Sequence, residues 1–198
     1  MIELYEFPLS GNCHKVRLML SLLSLDYRSV PVSGAEREHQ QARFLALNPF
    51  GQVPVLVDSG LVVRDSQAIL VYLARRYGGP TWWPDDAREL AAVASWLFTA
   101  ANEIARGPNA ARLHRKFGKP LDYETALAVA AEVMGIIEVQ LQERSWLALD
   151  RVSIADIACY PYLALAAEGG IDLAPYPAMR NWFGRIQNLP GYVAMPGL

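Results

Sequence analysis

The chain has 198 residues, of which 53% are hydrophobic and 19% are charged, and its formal net charge at pH 7 is −2. These values are typical of a folded globular protein and exclude an intrinsically disordered one. No basic run exceeds two neighbouring residues, so the charge gives no support for binding to nucleic acid or to an anionic membrane. A chain of this length is sufficient for two small domains.

The N-terminal residues and the cysteines bear on the compartment. Glu3 and Glu6 lie within an alternating strand pattern, so the N-terminus does not have the composition of a signal peptide. No apolar run approaches the roughly 20 residues that a membrane-spanning helix needs. The two cysteines, Cys13 and Cys159, fall in different predicted helices and do not suggest a disulfide framework. We therefore expect a soluble, cytoplasmic protein.

Hydrophobic periodicity predicts mixed structure in the first part of the chain. The predicted elements, in chain order, are a strand over 2–7, a helix from 12 or 13 to about 25, a strand over 27–32, a polar segment over 37–47 with room for one short helix, a hairpin of 54–57 and 61–63, and a helix over 66–77. This order, strand–helix–strand and then strand–strand–helix, is the thioredoxin-like arrangement.

A turn-rich segment over 78–86 separates this part from the remainder, in which the strand pattern disappears. Helical patterns follow over 87–105, 123–143, 154–167 and 178–188, with Gly107-Pro108 and Gly118-Lys119-Pro120 as breaks. The sequence therefore predicts an α/β plus all-α fold. We expect a thioredoxin-like domain over residues 1–78 and an all-helical domain over residues 86–198.

Ser153 and Asp156 mark the start of one of these helices. The Ser-x-x-Asp spacing is that of a capping box, in which each residue bonds a backbone N–H group of the other. This accounts for both side chains without a ligand. We interpret them as folding residues.

The segment from Phe7 to Arg17 is the most informative part of the sequence. It places Ser10, Asn12 and Cys13 where the first strand turns into the first helix. Helix starts present unpaired N–H groups and a partial positive charge, which favour anions, including thiolates. Ser10-x-x-Cys13 has the spacing of a redox Cys-x-x-Cys pair whose leading cysteine is replaced by serine. Such a site can hold another molecule's thiolate but is poorly suited to dithiol exchange.

Four segments carry a family resemblance, and together they extend over essentially the whole chain. They are SGNCHKVR at 10–17, NPFGQVPVL at 48–56, DSQAI at 65–69 and SIAD at 153–156. In this order and spacing the chain resembles the cytosolic glutathione S-transferases, specifically bacterial members with a serine site like that of the phi and zeta classes. The resemblance implies the fold of that family, glutathione as co-substrate without a further cofactor, and a homodimer.

The resemblance also implies roles for single residues. Ser10 matches the catalytic serine, whose hydroxyl donates to the glutathione sulfur, and Asn12 matches a polar residue that supports it. The positions implied to bind glutathione are Val53 and Pro54, a cis-proline pair, for the cysteinyl part, His39, Gln40 and Gln52 for the glycyl end, and Asp65 and Ser66 for the γ-glutamyl group. There the carboxylate of Asp65 suits an ammonium, and the N–H groups of the helix starting at Ser66 suit a carboxylate.

Two of these positions depart from the family pattern. Gln40 stands where a lysine commonly helps to hold the glycyl carboxylate, and Asp65 is one methylene shorter than the usual glutamate. Both changes predict weaker contacts with glutathione. They keep open a non-catalytic binding module with the same fold.

Two enzymatic functions remain in view. The leading hypothesis is a glutathione transferase acting on small hydrophobic electrophiles held against the helical domain. The alternative is a glutathione-dependent disulfide reductase or peroxidase in which Cys13 exchanges disulfides. Side chains that could border the electrophile pocket are Trp96, Phe98, Arg106, Arg112, Arg115, Tyr160 and Tyr162.

Each candidate residue also has a simpler interpretation. Ser10 and Asn12 are residue types that commonly cap helices. His39 lies in a polar segment and is of a type usually solvated there. His14 and His114 have no compatible ligands nearby in sequence, so we expect no metal site.

Overall fold

The computed structural model describes residues 1–198. The first part contains four strands and three α-helices, in the order β1 (Ile2–Glu6), α1 (Gly11–Leu22), β2 (Tyr27–Pro31), α2 (Ala42–Leu45), β3 (Val55–Asp58), β4 (Leu61–Arg64) and α3 (Ser66–Leu73). A 3-10 turn at Glu38–Gln40 precedes α2, and a π-helical turn at Ala74–Gly78 follows α3 directly.

The strands form one sheet in the order β2-β1-β3-β4. β1 is parallel to β2 and antiparallel to β3, which is antiparallel to β4. Successive side chains of a strand point to opposite faces of the sheet. Accordingly, Ile2, Leu4 and Glu6 of β1 are buried, while the residues between them are half-buried. The topology matches the thioredoxin-like arrangement predicted from the order of elements.

The remainder of the chain is helical. Its α-helices are α4 (Ala87–Ala101), α5 (Ala110–Phe117), α6 (Tyr123–Glu143), α7 (Ile154–Ala164) and α8 (Pro177–Gln187). A π-helical turn at Ala105–Asn109 precedes α5, and a 3-10 turn at Ala166–Gly169 follows α7. No helix combines the length and apolar character required to span a membrane.

Helix α5 was missed by the sequence analysis, which recognised only the breaks on either side of it. Gly118, with φ of 62°, does end a helix in the left-handed conformation that glycine adopts readily. The helix that it ends has only eight residues and is largely polar. A helix of this kind is stabilised mainly by tertiary packing. Ala111 and Arg112 are both buried. The predicted extensions of α4 to 105 and of α7 to 167 are also wrong. Helix α4 ends at Ala101, before the π-helical turn, and α7 ends at Ala164, before the 3-10 turn.

Helix α7 connects the two parts of the molecule. Residues Ile154–Leu163 are all buried, and α7 packs against α1, α3 and α4. The predicted capping box is present: Asp156 Oδ2 accepts the Ser153 N–H at 3.0 Å. Asp156 Oδ1 also accepts from the Leu147 N–H and the Trp182 indole, each at 3.0 Å. The start of α7 is therefore fixed from three sides.

A close contact joins α7 to the beginning of α1. An ideal Cβ atom added at Gly11 would lie 2.6 Å from Cε1 of Tyr162, so the tyrosine ring occupies the space of the missing side chain. The Asn12 N–H donates to the Tyr162 hydroxyl oxygen at 3.2 Å. Glycine at position 11 is required for this approach, because any larger residue would displace the ring.

We expect the substitution Gly11→Ala to lower the free energy of unfolding by about 1–3 kcal/mol, since it overpacks a buried contact. Gly135 in α6 provides the matched control, because its added Cβ would meet no atom within 4 Å. Gly135→Ala should raise the free energy of unfolding by about 0.5–1 kcal/mol, as removing glycine from a helix interior generally does. Urea unfolding of both variants measures the difference. Equal stabilisation by both substitutions would contradict the contact.

Candidate functional site

A cavity of about 690 Å³ opens beside the first turn of α1. Ser10 and His39, two of the predicted site residues, line it. Its apolar wall includes Phe7, Leu9, Leu113 and Phe117. Among the side chains considered as a border of the electrophile pocket, Arg112 and Tyr162 line this cavity, whereas the tryptophan, Phe98, Tyr160 and the other two arginines do not.

A smaller cleft of about 220 Å³ lies next to the cavity. Most of the predicted site residues line it: Asn12, Gln52, Val53, Pro54, Asp65 and Ser66. Asn48, Phe50 and Arg64 complete the lining and were not predicted. The first two belong to a matched segment, so the resemblance could have found them, whereas Arg64 precedes its segment by one residue. Because Ser10 lines the cavity and Asn12 lines the cleft, the two openings meet at the first turn of α1.

Ser10 caps α1. Its Oγ accepts the Cys13 N–H at 3.3 Å, so the simpler interpretation of this serine as an N-cap describes a real contact. A hydroxyl that accepts one hydrogen bond keeps its own proton for a second partner. Capping therefore leaves the Ser10 proton available to a second partner, either a ligand or the nearby Tyr162 side chain, whose pKa it lowers against the larger effect of burial. Asn12 does not cap the helix through its side chain, which lines the cleft.

The loop before β3 is held from within. Val53–Pro54 is a cis peptide bond, as the resemblance implied. Asn48 Nδ2 donates to the Gln52 carbonyl at 2.7 Å, and Asn48 Oδ1 accepts the Phe50 N–H at 3.1 Å. Gln40 donates from Nε2 to the Gly51 carbonyl at 3.2 Å and lines neither opening. Its side chain supports the loop from outside.

Asp65 has an unusual backbone conformation for a residue other than glycine, with φ of 72°. Such conformations are found often where a ligand is clamped. Its Oδ1 accepts the N–H groups of Gln67 and Ala68, at 2.9 and 3.2 Å. Two of the N–H groups that we expected to be free for a ligand carboxylate are thus already bonded, which corrects that expectation. At the start of α3, the Ser66 N–H is the group that Asp65 does not bond and that remains for a ligand carboxylate.

His39 and Tyr162 add aromatic surface to the cavity. The His39 ring meets Phe7 edge-on with centroids 5.3 Å apart, and its buried Nδ1 has no hydrogen-bond partner. Burial raises the pKa of Tyr162 to about 12, so its hydroxyl stays protonated at neutral pH. Sequence analysis named Tyr162 as a possible border of the electrophile pocket, but it could not predict the bond to Asn12, because the two residues lie 150 positions apart in the chain.

Neither cysteine is suited to disulfide exchange. Cys13 is fully buried, and burial raises its pKa to about 11 in spite of the Ser10 contact. Cys159 is also fully buried, and burial raises its pKa further still. The nucleophile in disulfide exchange is the thiolate. The geometry therefore disfavours the reductase hypothesis in the form that used Cys13.

Comparison with known families decides what kind of protein contains these two openings. Residues 4–81 match the family model described as glutathione S-transferase, N-terminal domain, and residues 108–190 match the one described as glutathione S-transferase, C-terminal domain. The chain belongs to the glutathione S-transferase family. The thioredoxin-like plus all-helical fold predicted above is confirmed, and the matches indicate a glutathione transferase enzyme.

Individual relatives agree with this assignment. The transferase is similar to a crystal structure of a glutathione S-transferase from Pseudomonas fluorescens, with a TM-score of 0.92, 33% identity and 98% of both chains covered. It is 32% identical to the disulfide-bond oxidoreductase YfcG of Escherichia coli, over 96% of this chain and 92% of the relative. It is also 32% identical to a maleylacetoacetate isomerase of Pseudomonas aeruginosa, over 91% of this chain and 88% of the relative.

We expect both thiols of the native transferase to resist alkylation at pH 8, because burial keeps them protonated and inaccessible. Labelling with iodoacetamide, followed by mass spectrometry, measures the modified fraction. The same reaction in denaturant is the control and should modify both Cys13 and Cys159. Rapid labelling of Cys13 in the folded protein would restore it as a candidate nucleophile.

Proposed function

We propose that this transferase binds glutathione across the two openings and attacks small hydrophobic electrophiles with its sulfur. The observation that carries the proposal is the position of Ser10. It lies in the larger cavity, while Asn12, in the same helical turn, lies in the smaller cleft. A tripeptide seated in the cleft would therefore place its thiol at the Ser10 hydroxyl, facing the cavity.

The smaller cleft offers groups for the two ends of a γ-glutamyl moiety. Asp65 uses one carboxylate oxygen to cap α3, and the other is available for an ammonium. The Ser66 N–H and the Arg64 guanidinium can hold the α-carboxylate. The Val53 backbone can bond the cysteinyl part. At the glycyl end, Gln52 and His39 offer polar groups, and Gln40 holds the neighbouring loop.

The energy needed to activate the thiol is modest. A cysteine-type thiol has a pKa of about 8.5, and lowering it by about two units requires about 2.7 kcal/mol. A hydrogen bond to a charged group contributes roughly 1.5–3 kcal/mol, and a helix N-terminus contributes roughly 0.3–1 kcal/mol. Together, the free energies contributed by the Ser10 hydroxyl and by the start of α1 are therefore large enough to lower the thiol pKa by this amount.

The larger cavity is suited to the second substrate. Its apolar wall can hold a hydrophobic body next to the sulfur. After the thiol proton has passed to solvent, the thiolate forms a bond to the electrophilic carbon, and the leaving group departs with its electron pair. Tyr162, whose hydroxyl remains protonated, is close enough to Asn12 to act as a second donor at this point.

Disulfide reduction is the second candidate, favoured by the similarity to a disulfide-bond oxidoreductase. With Cys13 buried, the attacking sulfur would be that of glutathione, which would form a mixed disulfide with half of the substrate and release the other half as a thiol. Turnover of an aryl halide and of hydroxyethyl disulfide, measured side by side, distinguishes the two reactions.

We also propose a homodimer in the cytoplasm. Phe50, Leu61 and Phe98 are large apolar side chains that are half or more exposed in the single chain. Such side chains mark a subunit interface when they lie together in one patch, and the family resemblance implies a homodimer. Both cysteines are free, as is usual in a reducing compartment. The mass in solution, from light scattering, measures the assembly.

We expect Ser10→Ala to lower kcat/KM for an aryl halide by about 10- to 100-fold, because one hydrogen bond to the thiolate is lost. The pKa of the bound glutathione thiol should rise accordingly, which ultraviolet titration of the thiolate measures. Ser10→Thr, which keeps a hydroxyl, is the control for loss of the helix cap. An unchanged thiol pKa in Ser10→Ala would remove Ser10 from the mechanism.

We expect Asp65→Asn to raise the KM for glutathione about tenfold with little change in kcat, because the ammonium loses its ionic partner. The amide oxygen of asparagine can still cap α3, so the melting temperature should change little. Asp86→Asn is the matched control, since Asp86 caps α4 through the same two-bond arrangement, at 2.9 and 3.1 Å, and lines neither opening. Equal KM values for the two variants would exclude Asp65 from glutathione binding.

A further inference from the structure

We infer that the larger cavity selects electrophiles that carry a carboxylate, which Arg112 and Lys119 would bind. The inference rests on the proposed function, because it names the substrate class of the same cavity. It depends on the positive charge of the lining and on an unpaired, buried guanidinium nitrogen of Arg112, whose side chain is bonded to the carbonyl of Leu9 beside Ser10.

The charged residues of the cavity lining are all positive. Arg112 and Lys119 line it, and no aspartate or glutamate does. The carboxylate nearest to them in the hydrogen-bond network, Glu168, accepts from both Arg112 and Lys116, so its charge is already balanced. The whole chain carries a net charge of −2, and a positive cavity is therefore a local feature. A purely apolar acceptor would leave Lys119 and the Nη2 atom of Arg112 without a partner.

Arg112 is held in place with one nitrogen unused. Its side chain is 2% exposed, Nε donates to Glu168 Oε2 at 2.5 Å, and Nη1 donates to the Leu9 carbonyl at 3.0 Å. Its Nη2 is buried and has no partner. A buried donor without a hydrogen bond is unfavourable, and a charged one more so. A ligand carboxylate is the acceptor that a guanidinium matches best.

The neighbouring groups complete the site. Lys119 is exposed and forms no ion pair with another residue. The Asn109 side chain also lines the cavity and forms no hydrogen bond with the protein, and its Oδ1 is buried. The Phe117 ring lies over the Arg112 guanidinium, 5.1 Å from centroid to Cζ, and is 39% exposed. The ring therefore supplies apolar surface beside the guanidinium that would bind the carboxylate.

Glutathione itself carries carboxylates, and His39, proposed for its glycyl end, lines the same cavity. A test must therefore vary the charge of the electrophile part alone. Two glutathione conjugates meet this requirement: one bears a para-carboxybenzyl group and the other a para-carbamoylbenzyl group of nearly the same size. Both contain the complete tripeptide, so the ratio of their dissociation constants reports only on the added group.

Calorimetry with the purified transferase measures this ratio. We expect the carboxylate conjugate to bind about tenfold more tightly than the carboxamide. Arg112→Gln should reduce the ratio to nearly one. Because Arg112 is buried, its variant is compared with the native protein in melting temperature and in affinity for glutathione. Lys119→Ala, at an exposed position, supplies a second variant and should reduce the ratio about two- to fivefold.

Arg180→Ala is the matched control for net charge. Arg180 is exposed on α8 and does not line the cavity, so its substitution should leave the ratio unchanged. Equal affinities of the native protein for both conjugates would overturn the inference and leave the proposed function standing. An equal effect of Lys119→Ala and Arg180→Ala would also overturn it, since only overall charge would then matter. Failure of glutathione itself to bind would overturn the proposed function and the inference together.

Discussion

The contact between Tyr162 and the first turn of α1 is the constraint on which the candidate site depends. The ring fills the space above Gly11, and the hydroxyl accepts the Asn12 N–H. Tyr162 therefore links the helical part to Gly11 and Asn12 of the thioredoxin-like part, at the place where the cavity and the cleft meet. If the ring withdrew, the wall of the cavity next to Ser10 would be lost, and the helix would regain an unpaired donor.

The position of that ring is set by the far end of α7. Asp156 is completely buried and accepts bonds from Ser153, Leu147 and Trp182, so it ties the helix start to the preceding loop and to α8. Burial raises the pKa of Asp156 to about 6, in spite of these bonds. Two turns later, the same rigid helix presents Tyr162. A residue with a folding role thus determines the geometry of a residue in the site, although it touches neither opening.

The sequence was sufficient for the features that depend on local patterns. Alternation in β1, the capping box at Ser153 and the serine before α1 all arise from neighbours in the chain, and the structure contains each of them. The features that it missed depend on distant residues. Helix α5 is short and polar and is stabilised by packing around Arg112. Tyr162 was named as a possible border of the pocket, but its contact with α1 was missed because it forms only after the chain has folded. The N–H groups of α3 looked free because nothing in the sequence shows that Asp65 adopts a φ of 72° and bonds them itself.

The basic side chains of α1 line neither the cavity nor the cleft. Burial lowers the pKa of His14 to about 3, so this residue is neutral at physiological pH. Lys15 is fully buried against the Tyr162 ring, 5.4 Å from its centroid, and lines neither opening. Arg17 forms an ion pair with Glu6. From α1 itself, the groups that face the ligand are therefore the backbone of the first turn and the Ser10 hydroxyl at its cap. A neutral alcohol can serve at this position because the peptide dipoles already favour an anion there.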